Sequence, residues 1–182
     1  MIAASKARLL DEYLVIAAQG GDRAAFERLA RRWQPKLAAH GWRLLGDRDA
    51  ARDAVQESWL EIVRGLRGLR DARAFPAWAF RIVSRRCARQ IGAAVERRRM
   101  EAELGEAPEP VAEAAAGAAD GDRLRAAIRG LPPEQRSAIA LFHFEELSVA
   151  EVAVALDVPA GTVKTRLMHA RRKLRAVLEG DA

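Results

Sequence analysis

The hydrophobic residues of this chain recur at intervals of three and four positions in every long segment, a spacing that predicts helices. A first helix is predicted near Leu9–Gln19, ending at Gly20 and Gly21. Asp22 can then cap a second helix that runs to about Leu45. The apolar face of this second helix is formed by Phe26, Leu29, Ala30, Trp33, Leu37 and Ala38. No segment alternates apolar and polar residues as a half-buried strand does, so the predicted fold class is all-α.

Two further helices are predicted before residue 100. Gly46 ends the second helix and Asp47 begins a third, whose apolar stripe is Val55, Trp59, Ile62, Val63 and Leu66. A loop follows from Gly65 to Ala74. The fourth helix begins near Phe75, because Pro76 is tolerated in the first helical turn, where an N–H would have no partner. Its buried ridge is predicted to be Ala79, Val83, Cys87, Ile91 and Val95.

The C-terminal part of the chain predicts two helices joined by a tight turn. Ser148 and Glu151 have the spacing of a capping box. The apolar pattern of the first helix is interrupted at residues 157–159 and resumes with Val163, Leu167, Ala170 and Leu174. The opposite face of the second helix carries Lys164, Thr165, His169 and Arg172. A basic face backed by an apolar stripe is how a helix-turn-helix presents a helix to the DNA major groove, although a solvated amphipathic hairpin would give a similar pattern.

Charge divides the chain into blocks. The 182 residues carry 31 Lys and Arg against 25 Asp and Glu, and this net charge of +6 favours a polyanionic partner, either nucleic acid or an acidic membrane. Residues 81–99 hold seven arginines and one acid, and residues 164–175 hold six cations and no acid. Between them, residues 101–122 hold seven acids and no base. We therefore predict helical domains at 1–99 and 123–182, joined by a flexible acidic linker at 100–122.

The fourth helix has a second ridge, made of arginines. Arg81, Arg85 and Arg89 recur at i+4 steps nearly opposite the buried ridge, because two residues turn a helix by about 200°. Ser84 flanks them. Such a ridge fits either a face that follows DNA phosphates or an ordinary solvated surface. The helix-turn-helix pattern in the same chain favours the DNA interpretation.

No pattern in the sequence indicates catalysis, a cofactor or a metal site. The single cysteine, Cys87, excludes an intrachain disulfide and is expected to be a small buried hydrophobe. The three histidines have no metal-ligand spacing, and no nucleophile–base pair or glycine-rich phosphate loop is evident. No apolar run approaches the ~20 residues that span a bilayer, and the first residues lack a signal-peptide core. A cytoplasmic protein without membrane insertion is expected.

Four segments together resemble the signature segments of the bacterial extracytoplasmic-function (ECF) sigma factors, the smallest initiation factors of the sigma-70 type. They are 53–60, 75–82, 131–136 and 161–171, in the order and spacing of that family. The resemblance implies that domain 1–99 is the region-two bundle and that domain 123–182 is region four. It further implies that the partners are core RNA polymerase, promoter DNA and an anti-sigma factor. The acidic linker resembles the segment that runs through the active-site and RNA-exit channels.

The resemblance also implies roles for individual residues. Docking on core polymerase is implied for Asp53, Gln56 and Glu57. Recognition and melting of the −10 element, with a flipped base held by the loop, is implied for Leu66, Arg67, Arg70, Asp71, Arg73, Arg81, Ser84, Arg85 and Arg89. Recognition of the −35 element is implied for Thr162, Lys164, Thr165, Arg166, His169 and Arg172.

Two other functions are weighed against a sigma factor. A conventional regulator would combine the helix-turn-helix with a sensing domain, but the N-terminal half shows no ligand-pocket pattern and has its own basic ridge. A sigma-like decoy would titrate an anti-sigma factor without binding DNA. Such a decoy has little reason to keep both basic faces, and this chain keeps both.

Overall fold

The computed structural model describes residues 2–103 and 120–179, and these residues form eight α-helices and no strand. The predicted all-α fold class is therefore confirmed. Two 3-10 turns, Leu66–Gly68 and Ala72–Ala74, lie between the third and fourth helices, and a π-helical segment, Ala140–Phe144, follows the sixth. The helices are α1 (Ile2–Gln19), α2 (Arg23–Leu45), α3 (Arg48–Gly65), α4 (Phe75–Glu103), α5 (Asp120–Arg129), α6 (Pro133–Ile139), α7 (Val149–Leu156) and α8 (Ala160–Glu179).

Side-chain caps begin the helices where the sequence predicts them. The Asp22 carboxylate accepts a hydrogen bond from the amide of Ala25 at 3.0 Å, and Asp47 accepts from two amides of the first turn of α3. Ser148 and Glu151 form the complete capping box, with each side chain bound to the backbone of the other. Gly46 ends α2 in the left-handed conformation, at φ 76°, which glycine adopts without strain.

Two helices are longer than predicted. α1 begins at Ile2 instead of near Leu9, and α4 continues to Glu103, beyond the predicted domain boundary at residue 99. The extension of α4 carries an ion pair at i, i+4 spacing between Arg99 and Glu103, at 3.1 Å, which supports continued helix. α5 begins inside the predicted linker. The remainder of that linker, residues 104–119, lies outside the described residues.

The first four helices pack around an aromatic core. Trp33 of α2 meets Phe75 and Phe80 of α4 edge-on, with ring centroids 5.2 and 5.7 Å apart. Leu66, from the end of the predicted α3 stripe, is buried with them, whereas Val63 is 52% exposed. Placing Val63 in the stripe was therefore wrong. The buried face of α3 is set instead by Ala51, Ala54, Val55, Ser58 and Ile62.

The last four helices form a second, smaller unit, which packs on the first. α7 lies against α4, and α6 and the π-helical segment lie against α2. The buried side chains of both units join in one continuous core. This packing brings the first helix of the helix-turn-helix against the helix that carries the arginine ridge.

Candidate nucleic-acid interface

The acidic face of α3 is open to solvent. Asp53, Gln56 and Glu57 are exposed, and they lie off the buried face of the helix. Glu57 is paired with Arg86 of α4. Sequence reasoning missed the apolar part of this surface, since Leu60 is 58% exposed and Val63 is exposed beside it. Gln56, Leu60 and Val63 follow one another at i, i+4 and i+7, so the spacing was the available signal.

The loop between α3 and α4 is held by α1. The side-chain amide of Gln19 donates hydrogen bonds to the carbonyl oxygens of Leu66, at 2.9 Å, and Leu69, at 2.7 Å. The Leu66 side chain is 3% exposed and belongs to the core. Its side chain does not face solvent in this structure, and its role as a −10 DNA contact stays a prediction. A buried leucine at this position anchors the loop.

The polar residues of the same loop remain at the surface. Arg67 and Arg70 are exposed. Asp71 caps the second 3-10 turn by accepting from the backbone amide of Arg73 at 2.9 Å, and its carboxylate also pairs with the Arg73 guanidinium at 3.1 Å. The hydrogen bond from the Arg73 side chain lowers the pKa of Asp71. The two residues therefore brace the loop as well as facing solvent.

A glycine brings the loop close to α4. A Cβ at Gly65 would lie 2.8 Å from the indole ring of Trp78, a distance that no side chain could occupy without a shift. Trp78 in turn packs against Phe75, with ring centroids 6.1 Å apart. This contact sets the position at which the loop leaves α3.

The arginine ridge of α4 is largely paired with protein carboxylates. Arg81 lies 2.9 Å from the Asp157 carboxylate at the end of α7, and Arg85 pairs with Glu61 of α3. Arg89, the third member, is exposed and has no ion pair or hydrogen bond within the described residues. The sequence predicted the ridge but not the acids that face it.

Ser84 is the exception on this side of α4. It is buried, and its hydroxyl is 2.9 Å from Nε2 of His40, which is also buried. In this structure α2 supplies the partner of the Ser84 hydroxyl and keeps it from solvent, and the role of Ser84 as a DNA contact stays a prediction. Burial, together with the nearby charge of Arg43, lowers the pKa of His40 to about 3, so the ring is neutral at physiological pH. Ser84 and His40 thus form a polar pair within the core.

The residues predicted on α8 divide between two surroundings. Lys164, Thr165 and Arg172 are exposed, whereas His169 is half-buried with its Nδ1 3.4 Å from the Arg172 guanidinium. The Thr165 hydroxyl donates to the carbonyl oxygen of Gly161 at 3.1 Å. Opposite this face, α8 buries Val163, Leu167 and Ala170.

Arg166 faces the other way. It is half-buried and lines a cavity of about 490 Å³ between the two units, together with Arg81 and Arg85. Thr162 is half-buried as well. The structure therefore brings four of the six predicted α8 residues to one solvent-facing surface, and it places Arg166 beside the arginine ridge of α4.

Within the described ranges, no cluster of three or more His, Cys, Asp and Glu side chains is arranged to hold a metal ion. None of the helices there has the length and apolar character needed to cross a membrane. Cys87 is buried as predicted, and burial raises the pKa of its thiol to about 12, a value typical of an unreactive side chain.

Comparison with protein families divides the chain as the two helical units do. Residues 29–96 match the family described as Sigma-70 region 2, and residues 121–174 match Sigma-70, region 4. The first match covers the acidic face of α3, the loop and the arginine ridge of α4. The second covers α5 to α8 as far as Leu174.

Curated relatives are similar over almost the whole chain. The ECF RNA polymerase sigma factor SigM of Mycobacterium tuberculosis is 34% identical over 92% of this chain and 84% of its own length. The RNA polymerase sigma-H factor of Pseudomonas aeruginosa is 29% identical over 93% of this chain and 94% of its own. Among solved structures, CnrH in complex with the cytosolic domain of CnrY is 25% identical, covers 95% of this chain and 99% of CnrH, and superposes with a TM-score of 0.70.

Proposed function

Since this chain belongs to the extracytoplasmic-function sigma factors of the sigma-70 family, we propose that its three exposed surfaces divide the work of promoter recognition. The chain is an alternative sigma factor that binds core RNA polymerase and directs promoter-specific transcription initiation. Different parts of the chain are proposed to bind core polymerase and to recognise each promoter element, and this division is our proposal. It assigns domain 1–99 to core docking and the −10 element, residues 100–122 to the connecting linker, and domain 123–182 to the −35 element.

Core polymerase docks on the acidic face of α3 in this proposal. Asp53, Gln56 and Glu57 are exposed together, and the apolar side chains of Leu60 and Val63 continue the same surface. Apolar residues at the centre of a protein interface and charges at its rim are the usual arrangement in stable complexes. The joint exposure of these acidic and apolar residues on one face of α3 is the observation that supports the docking assignment.

The −10 element is assigned to the loop and the arginine ridge. Arg67, Arg70 and Arg73 line the exposed part of the loop, and Arg85 and Arg89 continue the positive surface along α4. Arginine side chains suit both the phosphates and the unstacked bases of melted DNA. Asp71 positions Arg73, and Arg81 joins the surface only after it has left Asp157.

The −35 element is assigned to α8. Lys164, Thr165, His169 and Arg172 face solvent opposite the buried stripe, so they can reach base edges in the major groove without disturbing the core. Each good base contact of this kind contributes about 1–3 kcal/mol of discrimination between sequences. Arg166 and Thr162 are half-buried nearer the other unit, and we assign them to phosphate contacts that form once the two units have moved apart.

An anti-sigma factor is proposed as the regulatory partner, because the similar protein CnrH was solved in complex with the cytosolic domain of CnrY. We place the action of the chain in the cytoplasm, where core polymerase and DNA are found. We propose no catalytic role for the chain alone, since the functional surfaces described above are docking and DNA-facing surfaces. No cofactor is required by this function.

The docking assignment is tested with the double variant Asp53→Lys/Glu57→Lys. Replacing two exposed acids by cations should weaken binding to core polymerase about tenfold or more, because like charges now oppose the interface. Thermal stability should change little, since both residues lie off the buried face. Binding is measured by competition with labelled wild-type chain for core polymerase.

The matched control is Glu27→Lys/Glu96→Lys, which makes the same change in net charge at exposed positions on α2 and α4, off the acidic face of α3. If the Asp53 and Glu57 variant competes as well as the wild type, the docking assignment is wrong. Transcription from promoter DNA by core polymerase plus the wild-type chain tests the function itself. A regulator would need another sigma factor in the reaction, and a decoy would produce no transcript.

A further inference from the structure

We propose that a latch between the two units, made by Arg43 of α2 and residues 144–146 at the end of the π-helical segment, holds the free chain in an autoinhibited form. In this form α7 covers part of the arginine ridge that is assigned to the −10 element. The inference rests on the proposed function, because it concerns access to the DNA-facing surfaces. It predicts that the latch must open before both units bind one promoter.

The latch joins two residues that are far apart in sequence. The guanidinium of Arg43 lies 2.5 Å from the carboxylate of Glu145, and it also stacks over the ring of Phe144 at 4.4 Å from the centroid. The Glu145 side chain is only 7% exposed. Because removing one member of a buried ion pair leaves an uncompensated charge, the contact is sensitive to a single substitution.

Burial raises the pKa of Glu145, while the charges of Arg43 and Lys36 act in the opposite direction. The carboxylate is therefore an unfavourable group to bury without its partners on α2. Because the buried Glu145 carboxylate needs the cations of α2, it favours the arrangement in which the second unit packs on the first.

The backbone around Glu145 is irregular in two ways. Residues 140–144 form a π-helical turn, in which the amide of Glu145 reaches back to the carbonyl oxygen of Ala140 at 3.3 Å. Glu146 then adopts the left-handed conformation at φ 54°. Both features are locally disfavoured, and such features concentrate where surrounding structure or function requires them. Here they aim Phe144 and Glu145 at α2, and an ordinary helical turn would rotate them away.

Weaker contacts complete the closed form. Arg81 of α4 pairs with Asp157 at 2.9 Å, and Arg8 of α1 pairs with Glu151 at 3.5 Å. These pairs are more exposed, so each stabilises the closed form only slightly. The Arg81–Asp157 pair matters because of where it lies. Asp157 binds the first arginine of the ridge and so competes with a DNA phosphate for that side chain.

The latch is tested first with Glu145→Gln, which removes the charge and preserves the shape of the side chain. The matched control is Asp49→Asn, which breaks the Arg52–Asp49 pair, a solvent-exposed contact within one helix. Opening is followed by energy transfer between dyes on Arg28→Cys and Val177→Cys, both exposed positions on different units. Cys87 is buried, so it should remain unlabelled.

We expect Glu145→Gln to lower energy transfer and to raise the affinity of the free chain for promoter duplex. If the closed form makes up nine-tenths of the wild type, full opening raises the apparent affinity about tenfold. Asp49→Asn should change neither quantity. Wild-type energy transfer and wild-type affinity in a folded Glu145→Gln chain would overturn the latch.

A locking experiment covers the case in which Glu145→Gln does not fold. Arg8→Cys and Glu151→Cys are joined by a short bis-maleimide, which holds α7 against α1. The locked chain should lose promoter binding and transcription with core polymerase, while each singly modified variant keeps both. A locked chain that initiates as well as its singly modified controls overturns the proposal. Failure of the unlocked wild type to initiate would instead count against the proposed function.

Discussion

The two helices assigned to DNA carry similar charge, but they differ in what their cations already contact. On α4, Arg81 and Arg85 face Asp157 and Glu61. On α8, Lys164 and Arg166 have no ion-pair partner among the described residues. A phosphate can therefore bind Lys164 of α8 without displacing a protein carboxylate, whereas at Arg81 and Arg85 of α4 it must replace one. The two helices thus carry similar charge in the sequence, but they differ in which of their cations are available to bind phosphate in the fold.

The same two helices differ in their anchoring. α4 buries eight residues, including Phe75 and Phe80, against an aromatic core and the polar pair of His40 and Ser84. α8 buries only Val163, Leu167 and Ala170. We infer that α4 is a rigid part of its unit. α8 buries fewer residues, which suits a helix that must above all expose its basic face.

The largest effect is expected from Phe80→Ala. This side chain is 1% exposed and packs against both Trp33 and His40, so its removal should lower the free energy of unfolding by about 3–5 kcal/mol. The control is Val95→Ala on the exposed part of the same helix, which should stay within about 0.5 kcal/mol. Urea denaturation followed by circular dichroism measures both. Equal effects of the two substitutions would contradict the anchoring described for α4.

A pH-dependent effect of about 2 kcal/mol is expected from His40. Its pKa is lowered to about 3 in the fold, against 6.5 in the unfolded chain. Between these values the unfolded chain binds the extra proton, so stability falls as pH falls. The loss at pH 5 is about 2 kcal/mol relative to pH 7.5.

His40→Gln cannot take up this proton and should lack that part of the pH dependence. The comparison is made by urea denaturation of both chains at pH 7.5 and pH 5. An identical loss of stability in the variant and the wild type would show that His40 is not buried in its neutral form.

Local features of the fold were predictable, because they depend on neighbours in sequence. The capping box at Ser148 and Glu151 is one example, and the part of the α4 ridge formed by Ala79, Val83 and Cys87 is another. Both follow from helical periodicity and from hydrogen bonds within one turn. The predicted continuation of that ridge to Val95 is wrong, because α4 extends beyond the core there and Val95 is 58% exposed. The basic face of α8 was predicted from helical spacing, whereas the docking role of α3 and the −35 role of α8 came from a resemblance in motif order. The DNA and polymerase contacts of these residues remain predictions.

Features that depend on packing between distant segments were not predictable. Ser84 lies on the flank of a basic ridge, and only the position of α2 reveals that its hydroxyl meets His40. The sequence predicts Leu66 both in the apolar stripe of the third helix and in the loop that faces DNA, and only the packing of the helices shows that its side chain lies in the core. The contact of Arg43 with Glu145 spans 102 positions of sequence and requires a π-helical turn that no local pattern indicated.

A smaller effect is expected in the salt dependence of DNA binding by the free chain. If about six phosphates are neutralised, log K should fall against log[salt] with a slope near −5. Lys164→Ala should reduce this slope by about one. Arg85→Ala should reduce it by less, because Glu61 already neutralises part of that charge. Fluorescence anisotropy across a salt series measures the slopes, and a larger reduction for Arg85 would reverse the comparison of the two helices.

The most direct test of the central claim is in-vitro transcription on a promoter library randomised separately at the −10 and −35 elements. With wild-type chain and core polymerase, sequence preference should appear at both elements. Lys164→Ala and His169→Ala should flatten the −35 preference and leave the −10 preference intact, whereas Arg67→Ala and Arg70→Ala should do the reverse. A change of −10 preference in the α8 variants, or an unchanged −35 preference, would contradict the division of promoter reading between the two units.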